Sequence, residues 1–446
     1  MHAKEGGVST SRQPTVITAA DHPQRAALNA ELHSRPPIPL TTPARLSQMS
    51  YVSGVAGEPD DRARVERLCE RLSVKPTLAS DRQIVVACEA FTLKWERHVE
   101  FSSYTVIAAG AAPVLFGAPA LDALPADWLA EVGGDRISAV HVELVSANGG
   151  ELPAEAVDAA FDRGPPVAAL VADGRARVLA DFQMHRDGFG RILVEDRGLT
   201  PGRAGRLVQR LVEIETYRMI ALLGFPLAKE LMRDLDRLED RLGQVVTDVT
   251  HPSDDRSDRA ILGDILAISA EVEALAARSM FRFAAARAYH TLVRRRCEEL
   301  REERVQSLQR ISNFLDRRLG PAMRTVEAAA GRLDNLSRRI ARTADLMRTR
   351  VDLTLEEQNQ ELLKSMDRRA TLQLRLQHTI EGLSVVAISY YAIGVASTLV
   401  KAVAEAGLAI NDTLVTGLIA PFIILGTIVG VHRIRRTIVR AEKEGD

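Results

Sequence analysis

The sequence predicts an α+β fold: an antiparallel-sheet domain with flanking helices, a long helical stalk, and a C-terminal hairpin of two transmembrane helices. Three observations support this prediction. Short β-rich stretches bounded by Gly, Asp or Pro recur up to residue 198, and residues 200–380 consist almost entirely of helix formers. Residues 382–400 and 413–431 then form two uncharged stretches of 19 residues each, close to the roughly 20 residues that cross a hydrocarbon core.

The first part of the chain, residues 22–198, carries the strand signals. Stretches rich in β-branched residues or alternating in polarity occur at 83–89, 91–97, 99–108, 137–146, 167–171, 176–182 and 189–195. Asp173-Gly174 and Asp187-Gly188 predict tight hairpin turns. Helical spacing predicts short helices at 63–73, 125–132 and 153–162. We therefore expect a largely antiparallel sheet here, preceded by a disordered polar segment at 1–21.

Residues 199–380 predict a helical, coiled-coil-like stalk. Apolar residues recur there at intervals of three and four, including Leu235, Leu238, Leu242, Ile261, Ile265 and Ile268. Gly and Pro predict breaks at 224–226, 251–253 and 320–321. From Pro321 to about residue 400 no further proline occurs, so one helix is expected to enter the membrane directly. A helix of that length needs partners, either the preceding helices or the same helix of other subunits.

Charges beside the two apolar stretches predict their orientation. The loop at 401–412 carries Lys401 against Glu405 and Asp412. The outer flanks are rich in arginine: Arg368, Arg369, Arg375, Arg433, Arg435, Arg436 and Arg440. The positive-inside rule puts both flanks in the cytoplasm. We therefore expect a multi-pass protein of the lipid bilayer, with a cytoplasmic N-terminal domain, a hairpin at 381–432 and a basic cytoplasmic tail at 433–446.

Composition argues against several classes of function. A net charge of −1 provides no overall field that attracts a nucleic acid, so none is expected as a partner. The three cysteines, Cys69, Cys88 and Cys297, have no metal-binding or redox spacing, which fits a reducing compartment. The first 20 residues contain no apolar stretch typical of a signal peptide. Membrane insertion is therefore expected to rely on the C-terminal hairpin.

Motifs of known enzymes are missing from the sequence. It contains no P-loop, HExxH, GxSxG or paired CxxC motif, so we expect neither enzymatic activity nor a cofactor. One polar pattern repeats in predicted strands: His98 with Glu100, and His141 with Glu143. Residues two apart on a strand face the same side, so each pair offers an imidazole and a carboxylate to a divalent cation. The alternative is a sheet face that is simply polar. An enzyme would need a metal at these pairs.

Polar residues also mark one side of the first predicted span. At 100° per residue, Glu381, Ser384, Tyr391 and Thr398 fall within about a third of the helix circumference. Tyr390 and Gly394 lie on a neighbouring face. Small and hydroxyl residues in a transmembrane helix commonly mediate packing, and the alternative role is to line a pore.

A motif near the N-terminus resembles a bacterial family of predicted membrane-anchored proteins of unknown function. The motif reads His-Pro-x-Arg-x-x-Leu-x-x-Glu-Leu-His-x-Arg-Pro and includes His22, Pro23, Arg25, Glu31, His33, Arg35 and Pro36. Stretches at 95–101, 181–201 and 381–391 are similar to the same family. The resemblance covers nearly the whole chain. It implies a place in the bacterial inner membrane and no particular activity.

The order of an α+β domain, a long helix and two C-terminal spans also resembles the CorA-type magnesium channels. Arg350, Asn359 and Met366 precede the first span much as polar and Met positions do in that superfamily. CorA-type proteins end the first span with Gly-Met-Asn, which supplies the selectivity filter. Here the corresponding place holds Lys401, which repels a divalent cation. The resemblance therefore implies a related architecture without magnesium selectivity of that kind.

Two functions follow from these observations. The first is a homo-oligomer related to CorA that conducts or senses ions. The second is a non-transporting anchored scaffold whose stalk and sheet domain bind a partner. The missing filter motif and the uncharged spans favour the second, whereas the architecture favours the first.

Overall fold

The protein is described by a computed structural model over residues 21–25, 28–29, 36–53, 60–80, 82–147, 150–251, 256–305, 308–405 and 411–443. The chain divides into two compact units, Met1–Thr343 and Ala344–Asp446. The first unit contains the sheet and the helices up to residue 343, and the second contains the remainder of α7 and all of α8, with the two apolar stretches. The predicted α+β class is confirmed.

Ten strands form one sheet among the described residues. They are β1 (Ala44–Val52), β2 (Leu78–Ala79), β3 (Gln83–Ala87), β4 (Thr92–Arg97), β5 (Phe101–Ala109), β6 (Asp135–Ser146), β7 (Val167–Val171), β8 (Ala176–Ala180), β9 (Gly190–Asp196) and β10 (Glu303–Arg304). Their order is β10-β7-β8-β9-β6-β1-β5-β4-β3-β2. All paired neighbours are antiparallel except β6 and β9, which are parallel. The sheet is therefore mixed and largely antiparallel.

Helices connect and cover the strands. They are α1 (Asp60–Leu72), α2 (Ala126–Ala130), α3 (Ala154–Ala160), α4 (Pro201–Leu222), α5 (Gly224–Thr250), α6 (Asp258–Leu300), α7 (Ile311–Glu405) and α8 (Asp412–Lys443). Helix α4 packs on β6 and on α6, so it is buried on most of its sides. Helix α5 also packs against α6.

The two faces of the sheet differ along its width. In the first half of the sheet, which contains β2 to β5, Trp95 of β4 and Tyr104 of β5 are fully buried in a cluster that includes Val65 and Leu68 of α1. The opposite face of the same strands is polar: Lys94 pairs with Thr105, and Glu96 pairs with Ser103 in register. That polar face turns apolar in β6, where Val140 lies beside Gln48 in register. The polar part of this face positions the candidate site.

Several predictions differ from the structure. Strand β1, at the centre of the sheet, was not predicted. Gly320 and Pro321 do not break a helix, since Pro321 lies inside α7. A break occurs instead at Arg301, whose left-handed φ of 49° ends α6. The helices up to Thr343 belong to the same compact unit as the sheet.

Candidate functional site

The second unit contains two apolar helices. The segments Ile311–Ala402 of α7 and Thr413–Ile434 of α8 each include a stretch long and apolar enough to cross a membrane. Hardly any of either stretch is buried within the structure. A soluble domain rarely exposes an apolar surface of this extent, because leaving such surface in water is unfavourable. These two helices are the candidate membrane segment.

The residues predicted to mark the polar side of the first span, and its neighbouring face, differ in their exposure to solvent. Tyr390, Tyr391, Gly394 and Thr398 are exposed, whereas Glu381 and Ser384 are half-buried. Two hydroxyl groups on this side bond to their own helix: Ser384 Oγ donates to the Ile380 carbonyl at 2.8 Å, and Thr398 Oγ1 donates to the Gly394 carbonyl at 2.9 Å. The exposed subset is therefore the part of the predicted face that is open to lipid, to a partner helix or to a pore.

The two His-x-Glu pairs are not brought together. His98 and Glu100 lie in the turn between β4 and β5, not in a strand, and Glu100 forms an ion pair with Arg282 of α6. His141 and Glu143 do share one face of β6, but β1 separates β6 from β5. Four converging ligands are therefore not formed. Among the described residues, no group of three His, Cys, Asp or Glu side chains is arranged to hold a metal ion.

His141 and Glu143 have partners inside the protein. His141 Nδ1 lies 2.8 Å from Ser47 Oγ, and its ring stacks on Phe189 at 4.0 Å between centroids. Glu143 Oε1 accepts a hydrogen bond from the Phe116 backbone N–H at 2.8 Å. Burial lowers the pKa of His141 to about 4 and raises the pKa of Glu143. The pair is thus a buried structural element of β6.

His141 predicts a loss of stability at mildly acidic pH. Its pKa is about 4 in the folded protein and 6.5 in an unfolded chain, so unfolding takes up a proton between these values and becomes easier as pH falls from about 6.5 to 4. The shift corresponds to at most roughly 3 kcal/mol. Chemical denaturation at several pH values should show this loss in the wild type and a smaller one in His141→Gln. An equal loss in the variant would contradict the assignment. Glu143 acts in the opposite direction and is present in both proteins.

The N-terminal motif lies partly outside the described residues. His22, Pro23 and Arg25 are exposed, and Arg25 forms an ion pair with Asp21. Glu31, His33 and Arg35 lie outside the described part of the chain, and Pro36 is exposed. Ile38, which lies two residues after the motif, packs against α4, and its carbonyl oxygen approaches Gly205.

A polar cavity that the sequence did not indicate lies between the sheet and α4. Its volume is about 370 Å³, within the range of small-molecule sites, roughly 300–1,000 Å³. We call the polar sheet residues at its base the cavity floor: Gln48, Lys94, Glu96, Ser103 and Thr105. Residues of α4 line the opposite side, and Ile38, Leu40 and Leu46 also line the cavity, with the Leu40 N–H donating to the Pro201 carbonyl at the start of α4. No single stretch of the sequence reveals this site, because its residues come from the segment before β1 and from β1, the β4–β5 hairpin, α4 and α6.

The charges in the cavity are paired. Lys94 Nζ lies 2.8 Å from Glu96 Oε1, and the two residues are 5% and 7% exposed. Arg296 of α6 donates to Glu213 of α4 at 2.5 Å and to Glu299 at 2.8 Å. The cavity therefore contains two cationic and two anionic side chains, and its lining has no net charge if His98 is neutral. A multiply charged anion or a bare divalent cation is disfavoured there, since each meets like charge.

A known protein family matches nearly the whole chain. The sequence profile of a family described as "Protein of unknown function (DUF3422)" matches residues 20–438. The chain belongs to this family. The match includes the N-terminal motif, all ten strands and both apolar stretches. No curated protein matches the chain. The predicted membership of an uncharacterised family is thus confirmed, and the family description names no activity that can be assigned to a residue.

Proposed function

We propose that the protein is a homo-oligomeric integral membrane protein of CorA-like architecture. In this proposal α7 and α8 form a C-terminal hairpin in the bacterial inner membrane, and the sheet domain and C-terminal tail lie in the cytoplasm. Support for the anchor comes from the two exposed apolar helices. Support for the orientation comes from the arginine-rich flanks of the hairpin.

One observation carries the proposed oligomer: a stripe of exposed apolar side chains along α7. We call this stripe the α7 seam, and it consists of Leu355, Leu362, Met366, Leu376, Ile380 and Leu383. All six side chains are between 52% and 72% exposed. At 100° per residue they fall on one side of the helix, with separations of three, four, seven and ten residues. Arg369 and Gln373 interrupt the seam at two positions of the same side. Such a stripe is typical of a helix that packs against copies of itself.

The seam continues into the first span. Continuing the same spacing from Leu383 leads to Ala387, Tyr391, Gly394 and Thr398. Subunits that associate through the seam therefore also bring the exposed Tyr391, Gly394 and Thr398 together at the common axis. We propose that this axis passes or senses ions. The uncharged lining and Lys401 argue against selectivity for a divalent cation.

Ion flux tests the proposed conduction. Proteoliposomes containing the purified protein should release trapped K⁺ or Na⁺ faster than empty vesicles. Thr398→Leu should lower the flux several-fold, because the larger apolar side chain narrows and dehydrates the axis. Thr427→Leu, a similar change in α8, should leave the flux unchanged. Tight vesicles with the wild-type oligomer would overturn conduction and favour the non-transporting scaffold.

A further inference from the structure

We infer that the polar cavity between the sheet and α4 binds a small amphipathic zwitterion, such as an α-amino acid with an apolar side chain. This site lies in the sheet domain and is independent of the proposed membrane function. The inference rests on the buried ion pair of the floor, on the hydroxyl groups beside it, and on the apolar side chains that also line the cavity.

The buried ion pair retains unused hydrogen-bonding capacity. Lys94 Nζ has three donors, and its only ion pair among the described residues is with Glu96 Oε1. Glu96 uses one carboxylate oxygen in that contact, so its Oε2 remains as an acceptor. Burying charged groups without full hydrogen bonding is costly. A ligand that accepts a hydrogen bond from the Lys94 ammonium and donates one to the Glu96 carboxylate offsets this cost. A zwitterion does both.

Hydroxyl groups extend the polar side of the cavity. Ser103 and Thr105 lie on β5 directly opposite Glu96 and Lys94 in register. Both line the cavity, and Ser103 is 1% exposed. A hydroxyl group both donates and accepts, so these residues suit either end of a zwitterion. The Arg296–Glu213 pair at the cavity wall adds a second cation and a second anion.

Apolar side chains line part of the cavity. Ile38, Leu40 and Leu46 line it together with Val208 and Val212 of α4. An apolar wall beside a charged floor fits a ligand with one apolar and one charged end. Free sugars and polyols lack the apolar end, and phosphates lack the cationic group that Glu96 and Glu213 would contact. The combined chemistry therefore selects an amphipathic zwitterion.

Calorimetric titration of the full-length protein in detergent tests the inference. The probes are L-leucine, L-isoleucine, L-phenylalanine and L-methionine, with glycine, L-aspartate, L-lysine, myo-inositol, inorganic phosphate and MgCl₂ as comparisons. At least one apolar amino acid should bind saturably, and more tightly than every comparison compound. Failure of all four, or tighter binding of a polyol, phosphate or Mg²⁺, would overturn the inference.

Variants assign the binding to the cavity. Lys94→Met combined with Glu96→Gln removes both charges at nearly constant volume and leaves neither charge unpaired, so folding should persist. It should weaken binding about tenfold or more, since charge-assisted hydrogen bonds are lost. Ser103→Ala should weaken binding by roughly threefold to tenfold. Its matched control is Ser102→Ala, because Ser102 is equally buried on the same strand but faces away from the cavity.

The variants also separate folding from binding. Circular dichroism melting of each variant shows whether the sheet domain is intact. Unchanged affinity in a folded double variant would overturn the inference, as would equal losses in Ser103→Ala and Ser102→Ala. Because the cavity lies in the first unit, loss of ion flux or of the oligomer leaves this result unaffected.

Discussion

Replacing Gly205 by alanine should destabilise the sheet domain more than any other single methyl addition in α4. A Cβ at this position would lie 2.0 Å from the Ile38 carbonyl oxygen and 2.9 Å from its carbonyl carbon. Both are backbone atoms, so no side chain can move aside. The segment is also held by the hydrogen bond from Leu40 N–H to the Pro201 carbonyl at 3.0 Å. To make room for the added methyl group, the chain before β1 must therefore move away from α4, or the helix must shift.

The expected cost is about 2–3 kcal/mol, the upper range for overpacking a well-packed site. A lower denaturation midpoint in urea, followed by circular dichroism, should reveal it. Gly243→Ala in α5 is the matched control, because nothing lies within 4 Å of a Cβ built there. Alanine at that helical position should stabilise the protein by roughly 0.5–1 kcal/mol. Equal midpoints for the two variants would show that Ile38 does not pack against α4.

Placing a charge in the α7 seam should abolish the oligomer. Leu362→Glu and Leu376→Glu each put a carboxylate where we propose that subunits pack, and the double variant puts two carboxylates on every copy. Repeated around a common axis, these like charges repel one another and cannot be desolvated at low cost. We expect the double variant to be a monomer. Leu374→Glu is the matched control, since Leu374 is 55% exposed against 63% for Leu376 but lies on another side of the helix.

Cross-linking in membranes measures this difference without detergent. The wild type and Leu374→Glu should give the same ladder of cross-linked species, and the double seam variant should give the single-chain band alone. Persistence of the ladder in the double variant would show that the seam is not the subunit contact. Membrane fractionation should confirm that all three proteins stay in the membrane, because the substitutions precede the first apolar stretch.

The sequence predicted most strands because their patterns are local. Strand β7 has its predicted bounds, and β6, β8 and β9 differ from the predicted ranges by no more than two residues at either end. The two predicted turns at Asp173-Gly174 and Asp187-Gly188 are also present, with positive φ at both glycines.

Strand β1 escaped prediction because its apolar residues lie on both faces. Leu46 faces the cavity, whereas Met49 faces the core of the first half of the sheet. Two polar residues of β1 are also buried, and each is hydrogen-bonded: Ser47 to His141, and Gln48 to Thr216 at 3.3 Å. No simple alternation remains in such a strand. Its partners become known only when the distant segments meet.

The cavity was missed for a related reason. Lys94 and Glu96 alternate with Trp95 in β4, which in the sequence is typical of a strand with one solvent-exposed face. The same face is buried because α4 and α6 cover it, more than 100 residues later in the chain. Sequence spacing within one strand cannot indicate which distant helix covers it. The apolar spans, by contrast, needed only local composition to be predicted.

Native mass spectrometry of the detergent-purified wild-type protein tests the central proposal most directly. One chain has a mass of 48.8 kDa. The proposal predicts a single main species at a whole multiple of that mass, of two or more, with five copies expected from the resemblance to CorA-type channels. A mass of 48.8 kDa alone, in several detergents and at high protein concentration, would contradict the oligomer, and with it the shared axis on which conduction depends.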